Sequence, residues 1–378
     1  MIERARAPIR SGRTPGLELL GLGTALPDHS VTQDQAAGWT SALSGHTPRQ
    51  TKRTAALYQF SGIARRFVSL LHPSAFPYPF ESTRPDELTT RWRMERYESL
   101  APPLALSASR RALEGSGVEP GRVTHLVTVS CTGFAAPGFD LSLVRGLGLD
   151  PGVQRTHVGF MGCHGALNGL RVAHAFAGAD PSARVLLCAT ELCSLHFQFG
   201  GGDEIAVPNA LFGDGAAAVV GALSVGGREG GCEGDVPAPW RLVASGSCLA
   251  PDTDDAMSWR IGDAGFAMTL SPEVPRMIHE TLPAWLSGWL GGLGLTVGQV
   301  GSWGIHPGGP KILDAVEQCL GLPRGSADAS RAVLAECGNM SSPTVLFILE
   351  RLRAAGASLP CVALGFGPGL AVEAALFA

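Results

Sequence analysis

Residues 300–320 read VGSWGIHPGGPKILDAVEQCL, and this stretch contains the pattern that decides the fold. The apolar run 300–305 predicts a buried strand, the Pro-Gly-Gly sequence after His306 predicts a turn, and residues 311–320 have the apolar spacing of a helix. The same alternation continues along the chain. Further strands are predicted over 17–23, 125–130, 184–189, 216–223 and 361–364, and further helices over 86–116, 164–178 (with Gly178 as C-cap), 272–296 and 344–354. Alternating strands and helices predict an α/β fold.

The length of the chain and one glycine-rich segment predict how it divides. At 378 residues the chain is longer than one ordinary domain. The clearest linker is 225–239, VGGREGGCEGDVPAP, which is rich in glycine and charge and closes with prolines. We therefore expect a flexible basic tail over 1–16, an N-terminal α/β half over 17–230 and a C-terminal α/β half over 231–378.

Composition and charge exclude several classes of protein. Hydrophobic residues make up 45% of the chain and charged residues only 16%, which predicts a large core and a buried interface between subunits. The net charge of −4 argues against a nucleic-acid partner or an anionic membrane surface. No apolar run has the length of an integral membrane segment, and no apolar signal segment follows the basic N-terminus. Nine cysteines without a C-x-x-C pair predict reduced thiols and a cytoplasmic location.

Three short sequences contain residues capable of acyl-thioester chemistry: Gly162-Cys163 before a helix, His306 in its Pro-Gly-Gly turn, and Asn339 in Gly-Asn-Met-Ser-Ser. A thiol at a helix N-terminus lies at the positive end of the helix dipole, so we expect a larger thiolate fraction at Cys163. We also expect the turn to expose the ring of His306. Each residue has an ordinary alternative role, namely a structural cysteine, a structural histidine and an N-cap asparagine. Only the three together indicate an active site.

Four longer motifs give these residues a common context. They are LFGDGAA at 211–217, HPGGPKIL at 306–313, GNMSS at 338–342 and GFGPGL at 365–370, and Glu191 ends the sequence ATE at 189–191. With these motifs in this order, the chain resembles type III polyketide synthases from about residue 17 to the C-terminus. These are the chalcone and stilbene synthase group of the thiolase-like condensing enzymes. In its departures from the plant pattern the chain is similar to bacterial alkylresorcinol and alkylpyrone synthases.

The resemblance implies a thiolase-like fold, in which two similar α/β halves form a five-layered αβαβα core, and it implies a homodimer. Cys163 would be the nucleophile that carries the starter and the growing chain. His306 and Asn339 would stabilise the enolate formed when malonyl-CoA loses CO2, and the oxyanion of each condensation. The implied partners are malonyl-CoA and an acyl-CoA starter, and no metal or other cofactor is implied.

The resemblance also implies which residues shape the substrate cavity. Phe212 would be a gate between the CoA tunnel and the cavity, and Trp259 would fill space where plant enzymes have glycine. Ala136 replaces a plant methionine that crosses the dimer interface, and His164 either tunes the Cys163 thiolate or faces the core. We therefore expect an aliphatic starter and an alkylresorcinol or alkylpyrone product. The predicted substrate-binding residues are Cys131, Thr132, Glu191, Cys193, His196, Phe212, Trp259, Met268 and Ser341.

Contacts with CoA are predicted at Arg53 and Gly308. Arg53 is the one basic residue at a position that the family uses for the phosphates of CoA, because Ala56 and Phe60 occupy the others. Three more basic residues lie nearby and are either substitutes or solvated surface charges: Lys52, Arg65 and Arg66.

Other classes stay open on the residues alone. A single-round β-ketoacyl synthase of the fatty-acid initiation type shares Cys-His-Asn but extends once on an acyl carrier protein, and such a carrier could also donate the starter here. A cysteine thioester hydrolase would use His306 as a base on Cys163 and release a free acid without loss of CO2. A non-catalytic thiolase-like scaffold is the third alternative. Starter length, the number of extensions and the type of ring are not determined by the sequence.

Overall fold

The computed structural model describes residues 15–69, 88–200, 203–224 and 239–378. The predicted tail over 1–16 and the predicted linker over 225–239 lie almost wholly outside these ranges. The eight cysteines within the described ranges are free thiols, as the sequence predicts, and Cys232 lies outside them.

Thirteen strands and ten helices form the described part of the chain. The strands are β1 Gly16–Ala25, β2 Ser30–Thr32, β3 Arg65–Phe67, β4 His125–Ser130, β5 Gln154–Gly159, β6 Arg184–Leu192, β7 Asp214–Ser224, β8 Arg241–Leu249, β9 Met257–Gly262, β10 Gly265–Leu270, β11 Ser302–Ile305, β12 Cys361–Gly367 and β13 Ala371–Phe377. The helices are α1 Gln33–Leu43, α2 Pro48–Gln59, α3 Thr90–Ser116, α4 Phe139–Leu147, α5 Gly165–Ala179, α6 Asp203–Leu211, α7 Val274–Gly291, α8 Pro310–Leu320, α9 Asp328–Cys337 and α10 Thr344–Ala354.

The strands of the two halves follow the same order, which reveals an internal duplication. In the N-terminal half, β1 pairs antiparallel with β7, β7 antiparallel with β6, and β6 parallel with β4. In the C-terminal half, β8 pairs antiparallel with β13, β13 antiparallel with β12, and β12 parallel with β11. β5 adds a parallel edge strand beyond β4. Because β1 also pairs with β8, these described strands form one sheet of nine in the order β11-β12-β13-β8-β1-β7-β6-β4-β5.

Helices on both faces of each half-sheet produce five layers. α3 and α4 pack outside the N-terminal half-sheet, α7 and α8 outside the C-terminal one, and α5 and α10 fill the layer between them. Side chains alternate accordingly: in β6, Leu186 faces the outer helices whereas Val185 and Leu187 face the central layer. In β12, Val362 faces outward and Ala363 faces the central layer. The predicted αβαβα arrangement is therefore confirmed.

Predicted elements agree with the structure within a few residues, and the differences have local causes. α3 begins at Thr90, because the hydroxyl of Thr89 caps the N–H of Trp92. α7 covers only Val274–Gly291 of the predicted 272–296, because a glycine-rich turn follows it. The prediction of Gly178 as a C-cap was wrong. α5 continues through it in ordinary helical conformation and ends at Ala179, with extended Asp180 as its C-cap.

Smaller elements pack beside the segments that follow β4, β6 and β12. These are α1, α2 and α6, the β2–β3 pair and the β9–β10 hairpin, with α6 packed against both α2 and β10. None of the helices in the described ranges is both long and apolar enough to cross a membrane.

Candidate active site

The structure brings Cys163 and Asn339 together and places His306 near His164, the residue that follows Cys163 in the chain. Cys163 lies on a 3-10 turn, Gly162–His164, which leads directly into α5 of the central layer. Asn339 lies just before α10, the other helix of that layer, and His306 follows the last residue of β11. All three side chains are buried.

The environment of Cys163 corrects the expectation of an enlarged thiolate fraction. Burial raises the pKa of the Cys163 thiol to about 11, and the charge of Glu191 acts in the same direction. Hydrogen bonds from the side chains of Ser341 and Asn339 oppose that shift but do not cancel it. Desolvation thus disfavours the thiolate at neutral pH, which is opposite to the effect expected from the position before α5.

Asn339 is oriented by a backbone hydrogen bond, and it is not the N-cap of α10, since Pro343 holds that position. Its Oδ1 accepts a hydrogen bond from the backbone N–H of Ser341 at 2.8 Å. The amide therefore presents Nδ2, a donor, toward the sulfur of Cys163. In this geometry the backbone of Ser341 is left-handed, with φ 60°, which is uncommon for a residue other than glycine.

His306 is enclosed, contrary to the predicted exposed ring: only 1% of the residue is accessible. Its backbone N–H donates to Leu364 O at 2.8 Å, which attaches the turn to β12. Gly304, two residues earlier, faces α10, so strand alternation also directs His306 into the central layer. Burial lowers the pKa of His306 to about 3, with a smaller contribution from His164, so the ring is neutral. Neither ring nitrogen has a hydrogen-bond partner among the described residues.

Unpaired buried nitrogens such as these are uncommon in folded proteins, and at an active site they indicate groups reserved for a ligand. A neutral imidazole offers one N–H, and Asn339 offers its Nδ2 hydrogens. The two residues can therefore supply donors to an oxygen that becomes negative beside the Cys163 sulfur.

His164 faces the core and not the nucleophile. Its Nδ1 hydrogen-bonds Asn168 Oδ1 at 2.6 Å, one turn further along α5. Its ring packs so closely on β12 that a Cβ at Gly367 would lie 2.2 Å from the ring carbon Cδ2. Burial lowers the pKa of His164, so it adds no positive charge beside Cys163 at neutral pH. Of its two predicted roles, the structure supports packing.

A cavity of about 190 Å3 opens at Cys163 and has mostly apolar walls. Of the nine predicted substrate-binding residues, eight line this cavity: Cys131, Thr132, Cys193, His196, Phe212, Trp259, Met268 and Ser341. Whether they bind substrate stays a prediction.

The ninth residue, Glu191, lies beneath the cavity wall and is not part of its lining. Its carboxylate accepts hydrogen bonds from the Cys131 backbone N–H at 2.9 Å, the Thr132 hydroxyl at 2.7 Å and the Ser342 hydroxyl at 2.6 Å. Ser130 also donates to it, at 3.2 Å. Burial raises the pKa of Glu191, and these hydrogen bonds oppose the shift. Glu191 thus joins the end of β4 to the segment that carries Asn339.

The LFGDGAA and GNMSS motifs pack against each other and connect Phe212 to Asn339. Asn339 N–H donates to Leu211 O and Gly213 N–H donates to Asn339 O, both at 2.9 Å. A Cβ at Gly215 would lie 2.4 Å from the sulfur of Met340, so this contact requires glycine. Phe212 and Asn339 therefore occupy fixed positions relative to each other.

One wall of the cavity consists of rings on the β9–β10 hairpin and on the turn after β6. Trp259 Nε1 donates to Cys131 O at 2.7 Å, which holds the indole across the cavity. His196 stacks on Phe266 with ring centroids 4.1 Å apart, donates through Nε2 to Thr132 O and accepts at Nδ1 from Phe266 N–H. Burial lowers the pKa of His196 to about 3. His196 is thus a neutral residue in the cavity wall, and both of its ring nitrogens are engaged in hydrogen bonds with the backbone. Neither nitrogen is available for proton transfer.

Sequence reasoning missed many of the residues that line the cavity, among them Phe266 and Arg66. Phe266 could have been found, because it lies two residues before Met268 on the same face of β10, and Met268 pairs with Trp259. Arg66 is buried on β3, and its Nη1 donates to the carbonyls of Asn209 at 2.5 Å and Phe212 at 2.9 Å. No local sequence signal distinguishes it from its exposed neighbour on β3.

The two predicted CoA contacts lie outside the lining of the cavity. Arg53 is exposed on α2, and Gly308 is half-buried in the turn after His306. Phe60, at the end of α2, is 82% exposed. Their role toward CoA stays a prediction.

Comparison with known proteins agrees with the fold and the site. The profile of the chalcone and stilbene synthase N-terminal domain matches residues 6–224, and that of the C-terminal domain matches residues 241–378. The chain is 35% identical over 364 residues to the alpha-pyrone synthesis polyketide synthase-like Pks18 of Mycobacterium tuberculosis, covering 94% of this chain and 90% of that protein. It is 38% identical over 274 residues to the 1,3,6,8-tetrahydroxynaphthalene synthase of Streptomyces peucetius subsp. caesius, covering 71% of each.

A solved structure extends the comparison to three dimensions. PKS-I from the brown alga Ectocarpus siliculosus superposes with a TM-score of 0.90 at 29% identity, covering 97% of this chain and 99% of that one. The two family profiles together cover nearly all of the described residues, including Cys163, His306 and Asn339. The chain therefore belongs to the chalcone and stilbene synthase family and is a type III polyketide synthase, an acyltransferase.

Proposed function

We propose that the enzyme loads an aliphatic acyl group from acyl-CoA onto Cys163, extends it repeatedly with malonyl-CoA, and closes the product to an alkylpyrone or alkylresorcinol. The observation that carries this proposal is the cavity that opens at Cys163, with its largely apolar walls and the indole of Trp259 across it. A planar aromatic starter needs width at this point, whereas an alkyl chain is narrow.

Loading is a thioester exchange. The Cys163 sulfur attacks the carbonyl of acyl-CoA, the bond from carbonyl carbon to CoA sulfur breaks, and the CoA thiol leaves with the proton that Cys163 loses. Burial keeps the thiol protonated and the neighbouring imidazole neutral. We expect the proton to pass to His306 as the thioester arrives, because two opposite charges formed together cost less than one buried charge alone.

Extension begins with decarboxylation. The bond between the α-carbon and the carboxylate of malonyl-CoA breaks, CO2 leaves, and the electron pair becomes an enolate whose oxygen carries the charge. The N–H of His306 and the Nδ2 of Asn339 are the donors for that oxygen. The enolate carbon then attacks the acyl thioester, and the Cys163 sulfur leaves. The lengthened CoA thioester reloads Cys163 for the next round.

Ring closure depends on how the lengthened chain folds. Attack of an enol oxygen on the thioester gives a pyrone, whereas carbon–carbon closure gives a resorcinol. A cavity of about 190 Å3 is small beside ligand pockets of about 300–1,000 Å3. The small volume favours few extensions and release as a pyrone, and the similarity to a protein named for alpha-pyrone synthesis supports this choice.

We further propose a homodimer, joined through the edge strand β5. Residues of β5 are partly exposed, and the edge has no neighbour on one side in the described chain. Phe134 and Met161, which are 40% and 38% exposed, flank this edge and give it an apolar surface.

The free thiols support a cytoplasmic location. An acyl carrier protein is a second possible starter donor, and we propose that CoA thioesters suffice without a further cofactor.

The test is an incubation of the purified protein with malonyl-CoA and starters from short to long acyl-CoA, with coumaroyl-CoA alongside. Products are identified by mass spectrometry, and C163A is the control. Alkylpyrones or alkylresorcinols that are absent with C163A support the proposal. A preference for coumaroyl-CoA contradicts the aliphatic starter. A single β-ketoacyl product, or free acid without CO2, contradicts iterative condensation.

A further inference from the structure

The largest fully buried side chain in the described ranges is a charged one, Arg93 near the start of α3. Only 1% of the residue is accessible. Burial lowers the pKa of Arg93 to about 10, so the guanidinium is still charged at neutral pH. Its hydrogen bonds within the described part of the chain all go to backbone carbonyl oxygens and none to a carboxylate. Because a buried charge without an acidic partner opposes folding, packing alone does not explain an arginine here.

Arg93 fixes the turn that carries His196. Its Nη1 donates to Leu195 O and, at 3.0 Å, to Phe197 O, which are the carbonyls on either side of His196. Its Nε donates to Leu88 O at 3.0 Å, which ties this turn to the chain just before α3. Two carbonyl oxygens that converge on one point repel each other, and a cationic donor between them removes that repulsion. The guanidinium therefore holds a turn that would otherwise be strained.

The same end of α3 also holds the β9–β10 hairpin. Thr90 N–H donates to Asp263 O at 2.8 Å. The Thr90 hydroxyl donates to Gly262 O and accepts from Gly265 N–H at 2.8 Å. Gly265 has φ 95° and lies against Arg93, because a Cβ there would be 2.7 Å from both Cδ and Nε of the arginine. The turn of the hairpin thus rests directly on Thr90 and Arg93.

The turn after β6 and the hairpin together supply one side of the cavity, which we call the ring wall. Its residues that line the cavity are His196 on the turn and Trp259, Phe266 and Met268 on the hairpin. Neither Arg93 nor Thr90 lines the cavity, so both reach a substrate only through this wall. Burial is the main cause of the lowered pKa of His196, and the charge of Arg93 acts in the same direction. The imidazole therefore stays neutral and keeps its hydrogen bonds to the backbone.

We propose that Arg93 is a positioning residue that fixes the ring wall from behind and thereby sets the number of extension units. This inference deepens the proposed function and rests on it. A cavity of about 190 Å3 leaves little space beyond the growing chain, so outward movement of the rings makes room for a further unit. Misplacement by about 1 Å can change a rate about 10²-fold, so loss of Arg93 should change the ratio of longer to shorter products about tenfold or more.

The experiment compares wild type with R93M, R93K, T90A and the control L113A. R93M removes the charge and every donor. R93K keeps the charge and one nitrogen for the two carbonyls that converge on Nη1, but it loses the donor to Leu88 O. T90A releases the hairpin turn and leaves Arg93 in place. Leu113 is buried in the core on the same helix and does not line the cavity, so L113A destabilises the fold without touching the ring wall.

Each protein is incubated with malonyl-CoA and one saturated acyl-CoA, and mass spectrometry sorts the products by their number of extension units. Malonyl-CoA decarboxylation without a starter is measured separately. We expect the ratio of longer to shorter products to rise most in R93M, less in R93K and T90A, and not at all in L113A. Decarboxylation should stay close to the wild-type rate in every variant, because His306 and Asn339 are unchanged.

Three results would overturn the inference and leave the proposed function standing. The first is a wild-type product ratio in folded R93M and T90A, or in R93K and T90A if R93M does not fold. The second is an equal shift in L113A, because general loosening of the fold would then explain the change. The third is a parallel loss of decarboxylation and product, which would place the effect of Arg93 on the catalytic centre. If wild type itself condenses only once or releases only free acid, the proposed function fails, and this inference fails with it.

Discussion

Replacing Glu191 should destabilise the enzyme by amounts that differ sharply between alanine and glutamine. E191A removes the carboxylate and leaves its buried donors without their acceptor, including the three at 2.9 Å or less: the Cys131 N–H, the Thr132 hydroxyl and the Ser342 hydroxyl. Each unsatisfied donor costs about 1–3 kcal/mol, which gives about 3–9 kcal/mol for the three. Folded proteins are stable by about 5–15 kcal/mol, so E191A should lose much of its stability.

E191Q should cost less, because one amide orientation satisfies most of the site. The Thr132 hydroxyl already accepts from Leu192 N–H at 2.9 Å, so it must donate toward residue 191. The Ser342 hydroxyl has no second hydrogen bond among the described residues and can rotate to accept. The amide oxygen then faces Thr132 and the NH2 group faces Ser342. The expected cost is about that of one hydrogen bond to a charged group, about 1–3 kcal/mol.

The assay is urea unfolding of wild type, E191Q and E191A at one pH and protein concentration, with E350Q as control. Glu350 is half-buried and accepts a single hydrogen bond, from the Thr24 hydroxyl, so E350Q should cost about 1 kcal/mol or less. Equal free energies of unfolding for E191Q and E191A would refute the reasoning. The carboxylate would then not organise the donors beneath the cavity.

Three further variants test the site. H306Q should slow alkylation of Cys163 by iodoacetamide at pH 7 about tenfold or more. The rate difference from wild type should shrink as the pH rises toward the thiol pKa of about 11, above which the thiolate forms without a partner. A rate difference that is constant with pH argues against a role of the imidazole in forming the thiolate. N339D turns the donor that faces the sulfur into an acceptor and should lower malonyl-CoA decarboxylation about 10²- to 10³-fold; wild-type CO2 release from N339D would exclude this donor. W259A removes the indole from the cavity and should give products with more extension units, whereas W259F, which loses the hydrogen bond to Cys131 O and part of the ring volume but keeps an aromatic ring, should change the products less. The lost hydrogen bond should cost W259F about 1 kcal/mol in unfolding free energy. Unchanged products from W259A would show that the indole does not limit extension.

The fold was predictable because its signals are local. Strands buried on both faces, such as β4 and β12, appear in sequence as short apolar runs bounded by turn residues. The motifs around Cys163, His306 and Asn339 gave the position of the site for the same reason. Each is a short segment at the end of a strand or before a helix, where glycines mark close backbone packing.

The electrostatics of the site were not predictable from the sequence. Helix position alone indicated a reactive thiolate at Cys163, but the pKa depends on how completely the fold removes water from the sulfur. The ring of His306 was expected to be exposed because its turn is rich in glycine, and it is instead covered by packing across the halves. Likewise, Glu191 acts through donors more than fifty residues away in sequence, such as Ser342.

The stoichiometry of CO2 release tests the central claim most directly. Purified enzyme is given an excess of malonyl-CoA labelled at its carboxylate and one saturated acyl-CoA, with C163A in parallel, and labelled CO2 is counted per starter consumed. A type III polyketide synthase acting through Cys163 predicts more than one CO2 per starter with wild type and none coupled to starter with C163A. One CO2 per starter, starter hydrolysis without CO2, or starter-coupled release from C163A equal to that of wild type would contradict iterative condensation on this cysteine.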